Sequence, residues 1–292
     1  MRFLCLGEAM VEMAPTDDGR FTMGFAGDML NTAWALRRIC PQEWQIGFTT
    51  ALGDDPLSGE MTQFMAAGGI CTRDIRVLPG EICGLYLIRL RVGERSFCYW
   101  RGQSAARKMA DDDAWLRRIL DQANAVFLSG ISLAILPEDR RAALVSALEH
   151  YGGSVFFDPN HRPRLWSGPE LARDWLLRLA PRANILLPSK EDCDVLFGAA
   201  NAETHLEKLA ATGAREIVMT DGPGPIRAWH DGQVSQTVLQ HDVQPVDTTG
   251  AGDAFNAGFL AARLQGQSLQ QALQNGQALS QKVIATRGGL LQ

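Results

Sequence analysis

Residues 247–260 read DTTGAGDAFNAGFL, two glycines and an aspartate set against the start of an apolar periodic run. Gly250 and Gly252 carry no Cβ, so the backbone there can turn sharply and let a ligand come close. Ala254, Phe255, Ala257, Gly258 and Ala261 recur at helical spacing, which predicts a helix beginning near Asp253. A glycine turn feeding a helix start offers unpaired N–H groups and partial positive charge, both suited to a phosphate. Asp253 stands beside that anion hole as a carboxylate placed to accept a proton. Amides for the charge and a base for the proton are what phosphorylation of a hydroxyl requires. Taken alone, a short glycine motif is equally an ordinary strand-to-helix turn with Asp253 as its cap.

Other phosphate-binding patterns do not fit the chain. A dinucleotide fingerprint would carry Gly or Ala where Phe255 stands, and would open an early βαβ unit. Neither GxxxxGK[ST] nor HRD followed by DFG occurs. The 292 residues carry a net charge of −5, which leaves no basic footprint for nucleic acid. Hydrophobic residues at 46 % and charged ones at 21 % supply a globular core. Cys5, Cys40, Cys71, Cys83, Cys98 and Cys193 show no CxxC and no metal-ligand spacing, and read as reduced thiols. No apolar stretch reaches the ~20 residues of a membrane span. The N-terminus, with Glu8 after a short apolar run, reads as a first strand and not a signal peptide. A cytoplasmic protein is the expectation.

Positioning the glycine motif requires a scaffold. Strands are expected over 3–6, 46–52, 125–128, 154–158, 185–187 and 216–220, and helices over 29–39, 58–67, 137–151, 169–179 and 203–211. Strand-like runs at 226–229 and 233–239 precede the helix of the glycine motif and a last helix over 268–285. That alternation implies an α/β fold with a mostly parallel central sheet flanked by helices. Residues 73–99 break the pattern: Leu85, Leu87 and Arg91 alternate with Tyr86, Ile88 and Val92, and no helix intervenes. They read as consecutive antiparallel strands turning at Pro79-Gly80 and Gly93-Glu94. The expectation is one domain over 1–292 with a small antiparallel β insertion at about 73–101. Such a sheet cannot bury both faces alone, so it must pack on the main domain, on a partner subunit or over a ligand.

The string at 247–260 resembles the C-terminal signature of the ribokinase-like (PfkB) carbohydrate kinases. The resemblance implies ATP as phosphoryl donor, with Asp253 taking the proton of the sugar hydroxyl. The amides of Gly250, Ala251 and Gly252 would hold the transferring group. It also implies that the β insertion lies over the sugar as a lid, and that lids of two subunits pair in a homodimer or higher oligomer. A lid suits the chemistry, because phosphoryl transfer has to exclude water. Residues 26–36, AGDMLNTAWAL, are similar to the family's sugar-binding Gly-Gly-x-x-x-Asn segment, with Ala26 replacing the first glycine. Gly27 allows close backbone approach, while Asp28 accepts from sugar hydroxyls and Asn31 both donates and accepts. On its own, Asp28 or Asn31 is equally a helix cap.

GFAGDMLNTAW, TALGDDPLS, GLYLIRL, GERSFCYWRGQSAAR, LSGISLAIL and FDPNHRPRLW together resemble the 2-keto-3-deoxygluconate kinases more closely than ribokinases or fructokinases. That branch implies phosphorylation of the C6 hydroxyl of 2-keto-3-deoxy-D-gluconate, giving 2-keto-3-deoxy-6-phosphogluconate. A sugar acid wants a cation, ideally a bidentate arginine, and Arg101 and Arg162 are the candidates. Tyr86 and Tyr99 would stack on or hydrogen-bond the sugar chain. The rival readings are another sugar kinase of fructokinase or ribokinase type, and a non-catalytic sugar-binding regulator.

Nucleotide contacts are implied at 187–194, at a later turn and at the glycine motif. Ser189 and Glu191 come from PSKED, with Glu191 where the family has a glutamate linked to magnesium binding. Asn160 is placed with the nucleotide as well. Pro188 stands where asparagine is usual, and Thr220-Asp221-Gly222 falls where relatives often carry Lys-x-Gly. Thr220 and Gly222 therefore offer polar and backbone contacts without charge. Mg2+ is expected to ride largely on phosphates and water. Asp253 is expected ionised, favoured by the helix dipole, since a low pKa suffices for late proton transfer. Asp247 either fixes the loop or touches the substrate.

Overall fold

The computed structural model of the chain describes every residue except 17, 92–93, 238–242 and 292. Its first half runs β1 (Arg2–Leu6), β2 (Met10–Pro15), β3 (Phe21–Ala26), α1 (Asp28–Ile39), β4 (Gln45–Gly53), α2 (Pro56–Ala67), β5 (Ile75–Leu78), β6 (Gly84–Arg91), β7 (Glu94–Trp100), α3 (Asp113–Asp121), β8 (Ala125–Ser129), α4 (Gly130–Ala134) and α5 (Glu138–His150). The second half continues with β9 (Ser154–Asp158), α6 (Pro169–Leu179), β10 (Ile185–Leu186), α7 (Lys190–Phe197), α8 (Ala202–Ala210), β11 (Glu216–Met219), β12 (Ile226–His230), β13 (Gln233–Thr237), α9 (Ala251–Leu264) and α10 (Leu269–Ile284).

Nine strands make one sheet in the order β13-β12-β11-β10-β9-β8-β1-β4-β5. The pairs from β11 through to β5 are parallel, and β12 and β13 turn antiparallel at one edge. RFLCL of β1 and AVFLS of β8 are buried at every position, as parallel strands covered on both faces must be. Phe3 and Leu4 show the two-residue period dividing the core. Phe3 packs on one face with Phe48, Leu30, Met61, Phe259 and Val283. Leu4 packs on the other with Val126, Leu116, Leu144, Leu176 and Leu206.

Helix α9 is buried continuously from Ala254 to Ala262, an interior helix and not a surface one. Its approach to α10 is set by two glycines. A Cβ on Gly258 would lie 2.7 Å from the Asn275 carbonyl oxygen, and one on Gly276 would lie 2.8 Å from the Phe255 ring. This close packing holds the first turn of α9, and with it Asp253, in a fixed place.

A second sheet has four strands in the order β3-β2-β6-β7. It is antiparallel apart from the central β2–β6 pair. Half of it comes from β2 and β3, within residues 10–26, for which the sequence reading predicts no strand. Conversely β5, expected among the insertion strands of 73–99, pairs parallel with β4 in the large sheet. The physical reason is the crossover β4-α2-β5, which returns the chain beside its own strand before the insertion begins. The small sheet is thus rooted by two chain segments, 10–26 and 84–100. Helix α3 was also unforeseen; Asp112 caps it, accepting from Trp115 N at 2.8 Å. Val92, Gly93 and residues 238–239, named in the strand and turn expectations, lie outside the described residues. Among the described residues no helix is long and apolar enough to cross a membrane.

Candidate active site

The carboxyl ends of β8, β9 and β10 share one rim with the starts of α1 and α9, where ligands bind in open α/β sheets. Ser129 closes β8, and its hydroxyl donates to Asp28 Oδ2 at 2.5 Å. Asn160 Nδ2 donates to the same oxygen at 2.9 Å. Asn160, expected at the nucleotide end, therefore stands against Asp28, expected at the sugar end. Its positive φ of 33° is held by Asp158 Oδ1, which accepts the Asn160 N–H at 2.9 Å. The other Asp158 oxygen accepts from Asn256 Nδ2 at 2.8 Å. Asn31 Nδ2 donates to Asp253 Oδ2 at 2.8 Å, joining α1 to α9. The close backbone approach expected at Gly27 is to the protein itself: a Cβ there would lie 2.5 Å from the Glu8 carbonyl oxygen.

Helix α9 starts at Ala251, two residues before the expected point, so Asp253 belongs to its first turn. Gly250 precedes it at φ 75°, and a Cβ there would meet the Gly289 carbonyl oxygen at 2.6 Å. The Ala251 N–H turns back onto Thr248 O at 3.2 Å. Among the described residues the backbone N–H groups of Gly250, Gly252 and Asp253 find no acceptor in the chain. The expected trio of amides thus loses Ala251 and gains Asp253. At Gly252 a Cβ would meet nothing within 4 Å, so the space beside it is open. Asp247 accepts from Thr249 N at 2.9 Å and from Gly288 N at 2.8 Å, contacts that fix the loop.

Burial pushes the Asp253 carboxyl up to about 7, and nearby Asp28 pushes the same way, while the Asn31 hydrogen bond and Arg162 oppose them. This corrects the expectation of an ionised group of low pKa. A helix dipole contributes roughly 0.3–1 kcal/mol, less than one pKa unit, and enclosing two carboxylates together outweighs it. Burial likewise lifts Asp158 well above the usual carboxylate range, with Asp192 and Asp253 adding to it. Asp192 is also raised by burial. Arg162 is exposed, its Nη1 donating to His161 O at 3.0 Å, and lies within electrostatic reach of both Asp253 and Asp192.

The small sheet brings Tyr86, Tyr99 and Arg101 together. Tyr86 and Tyr99 are register partners with ring centroids 5.8 Å apart, and the Arg101 guanidinium lies 5.8 Å from the Tyr99 ring. The Tyr86 hydroxyl donates to Glu12, so the group expected to reach the sugar is already engaged and its ring remains. Burial holds the Tyr86 phenol far above its ordinary value, with Glu12, Tyr99 and Asp253 adding to it. Arg101 is paired with Glu8, a buried residue in the link from β1 to β2, which also accepts from the Ser104 hydroxyl. Burial raises Glu8, and Arg101 and Ser104 pull it back. Among the described residues Arg101 Nε is buried without a hydrogen-bond partner.

At the other end of the rim Ser189 caps α7, its Oγ accepting from Asp192 N at 3.0 Å. Thr220 lies beside it: Lys190 N donates to Thr220 O at 2.8 Å, and Thr220 N to Pro188 O at 3.1 Å. Pro188 needs only its carbonyl for this bridge, which explains how the position tolerates it. Gly222 takes a positive φ of 50° in open surroundings. Glu191 is exposed in the first turn of α7, while its neighbour Asp192 is the carboxylate that bears on Asp158. Glu191 and Asp192, consecutive on a helix, thus face different ways, and Glu191 is the one open to solvent, where an ion that keeps most of its water could reach it.

Sequence reasoning missed Glu8, Ser129, Asp158, Asp192 and Asn256 as members of this site. Ser129 and Asp158 carried a usable signal, each being the polar residue that closes an otherwise apolar parallel strand. Asn256 is a lone amide in a run of buried apolar helix residues. For Asp192 no feature of PSKED separates it from Glu191 before the helix phase is known.

A model of the pfkB family of carbohydrate kinases matches residues 2–291. The chain is 37 % identical to a 2-dehydro-3-deoxygluconokinase of Haemophilus influenzae, over 98 % of this chain and 94 % of that protein. It is 31 % identical to a fructokinase of Klebsiella pneumoniae, over 88 % and 82 % respectively. Among solved structures, an E. coli protein in complex with ATP and Mg2+ shares the fold with a TM-score of 0.83 at 23 % identity, over 99 % of this chain and 94 % of that one. The large mostly parallel sheet and the smaller second sheet agree with these likenesses, and the family match spans nearly every residue: the chain is a member of the pfkB family, a carbohydrate kinase of ribokinase-like fold.

Proposed function

We propose that this kinase transfers the γ-phosphoryl group of ATP to the C6 hydroxyl of 2-keto-3-deoxy-D-gluconate, also called 2-dehydro-3-deoxygluconate. The observation that carries the chemistry is the Asp253 carboxyl, held by Asn31 within the same turn as three amides that lack acceptors. Asp253 takes the hydroxyl proton as the new O–P bond forms and the bond to ADP breaks. The amides of Gly250, Gly252 and Asp253 receive the charge on the equatorial phosphoryl oxygens, the larger catalytic contribution. Mg2+ bound with the triphosphate would neutralise phosphate charge, and Glu191, exposed in the first turn of α7, would meet its water shell.

The sugar-acid reading is supported by Arg101, whose buried Nε is a donor still to be used, and by Arg162 at the open side of the rim. The small sheet acts as lid, its aromatic pair Tyr86–Tyr99 lying against the sugar chain. Ser189, Thr220 and Gly222 line the nucleotide end, and a cytoplasmic location fits the supply of ATP. Phe21, Met23 and Trp100 expose apolar surface on the outer strands of the small sheet, on the face opposite Tyr99, which supports pairing of two lids in a homodimer. Light scattering that shows a monomer at working concentration contradicts that pairing.

The test of activity is incubation of purified protein with ATP, Mg2+ and a panel of sugars. Phosphorylation of the keto-deoxy acid in preference to fructose and ribose is expected. Turnover of fructose or ribose without the acid would refute the substrate. The fructokinase reading is the runner-up, favoured by the Klebsiella pneumoniae relative.

A further inference from the structure

The four strands of the small sheet converge at one residue. Glu8 lies two positions before β2 begins, and Gly27, just after β3 ends, needs its missing Cβ to clear the Glu8 carbonyl oxygen at 2.5 Å. Gly84, the first residue of β6, would place a Cβ 2.8 Å from Glu8 Oε1. Arg101 follows the last residue of β7 and pairs with the Glu8 carboxylate, while Ser104 donates to it. Both charged side chains are enclosed, with exposures of 10 % and 0 % for Arg101 and Glu8. A guanidinium on a flexible stem has many postures in water; here one edge is tied to Glu8 and Nε is left without a partner among the described residues.

We infer that Glu8 is a positioning residue for carboxylate recognition: its pairing with Arg101 at the root of the small sheet fixes the guanidinium in the posture that receives the sugar acid. The inference rests on the proposal that Arg101 meets the substrate carboxylate. Glu8 itself touches no substrate. It presets the arginine, so that little rotamer freedom is lost when the acid binds. Because the same pair ties β7 to the link between the two sheets, acid binding and lid posture depend on one contact.

Four proteins test this: wild type, Glu8→Gln, Arg101→Gln and the double variant. Either single variant strands a buried charge and can lose stability, Arg101→Gln to the point of failing to fold, whereas the double variant removes both charges. Expected for Glu8→Gln is a rise of about tenfold or more in KM for the keto-deoxy acid, with kcat and the KM for ATP within about threefold of wild type. In the Arg101→Gln background the Glu8 change should add nothing to the KM for the acid. An unchanged acid KM in Glu8→Gln overturns the inference. So does an equal loss in every kinetic constant alongside a lower Tm, the mark of a merely structural residue. A full Glu8 effect that persists without Arg101 also overturns it. Wild type that phosphorylates no sugar acid takes down the substrate proposal and this inference together. Wild type active on the acid, Arg101→Gln defective and Glu8→Gln silent takes down only the inference.

Discussion

Asn31 donates its side-chain amide to the Asp253 carboxylate across 2.8 Å, linking two residues that stand 222 positions apart in the chain. The bond opposes what the surroundings do to Asp253, since burial and Asp28 favour its neutral form. With Arg162, this amide keeps an enclosed acid within range of ionisation near neutral pH. It also fixes which oxygen of Asp253 is left for a substrate.

The activity of the wild-type protein should fall on the acid side. With the free carboxyl titrating at about 7, kcat/KM is expected to drop tenfold per pH unit well below that value and to level above it. Initial rates at saturating ATP between pH 5.5 and 9 measure this. A flat profile down to pH 5 would show that Asp253 is not the base, or that it is ionised throughout.

Asp253→Asn should lose roughly 10²–10⁴-fold in kcat while still binding the sugar by calorimetry. A sugar-binding regulator would be indifferent to the same change. Stability should move the other way. The folded carboxyl is raised above its unfolded value, so the native state holds an extra proton between about 4 and about 7, and stability declines as pH rises through that window. Asn carries no such penalty, and Tm at pH 8 is expected to rise by a few degrees, corresponding to roughly 1–3 kcal/mol.

Replacing Asn31 by Ala removes the larger of the two influences, Asn31 and Arg162, that pull Asp253 down. The acid limb of the rate profile should then shift to higher pH by about one unit, with kcat reduced at pH 7 and largely restored at pH 9. Loss at all pH values to the same extent would assign Asn31 to substrate contact alone.

The two glycines of the turn should separate fold from function. Gly250→Ala places a side chain at φ 75° and 2.6 Å from the Gly289 carbonyl oxygen, and is expected to lower stability by roughly 2 kcal/mol or more. Gly252→Ala meets nothing within 4 Å and adds a good helix former to the first turn of α9. Its Tm should hold or rise, yet kcat should fall roughly 10²-fold, because the methyl group enters the space of the phosphoryl oxygens. Thermal melts and single-substrate kinetics on the same preparations decide both.

The central sheet was readable because β1, β8 and β9 are apolar runs bounded by turn residues, and α1 and α9 repeat with helical period. Asp253, Asp28 and Asn31 could be singled out for the same reason: each lies beside a glycine or in the first turn of a legible helix. The strands β2 and β3 escaped because MVEMAP and FTMGFA bury only their ends nearest the large sheet, which leaves too weak an alternation to see. Residues 75–78 misled in the opposite way, since IRVL alternates like a lid strand but is recruited by a parallel neighbour. The role of Glu8 was hidden because its partners, Ser104 and Arg101, come from more than ninety residues downstream. Neither periodicity nor a local motif reports such a pairing.

The enclosed Glu8–Arg101 pair has an evolutionary consequence for this lineage. Removing either member of a buried ion pair typically costs about 3–5 kcal/mol, a large part of the margin that keeps a protein folded. A descendant that loses the charge at one of positions 8 and 101 must therefore change the other with it, or pass through an intermediate that folds poorly. The pair is in this way protected against single mutations at either position, through the viability of the fold itself.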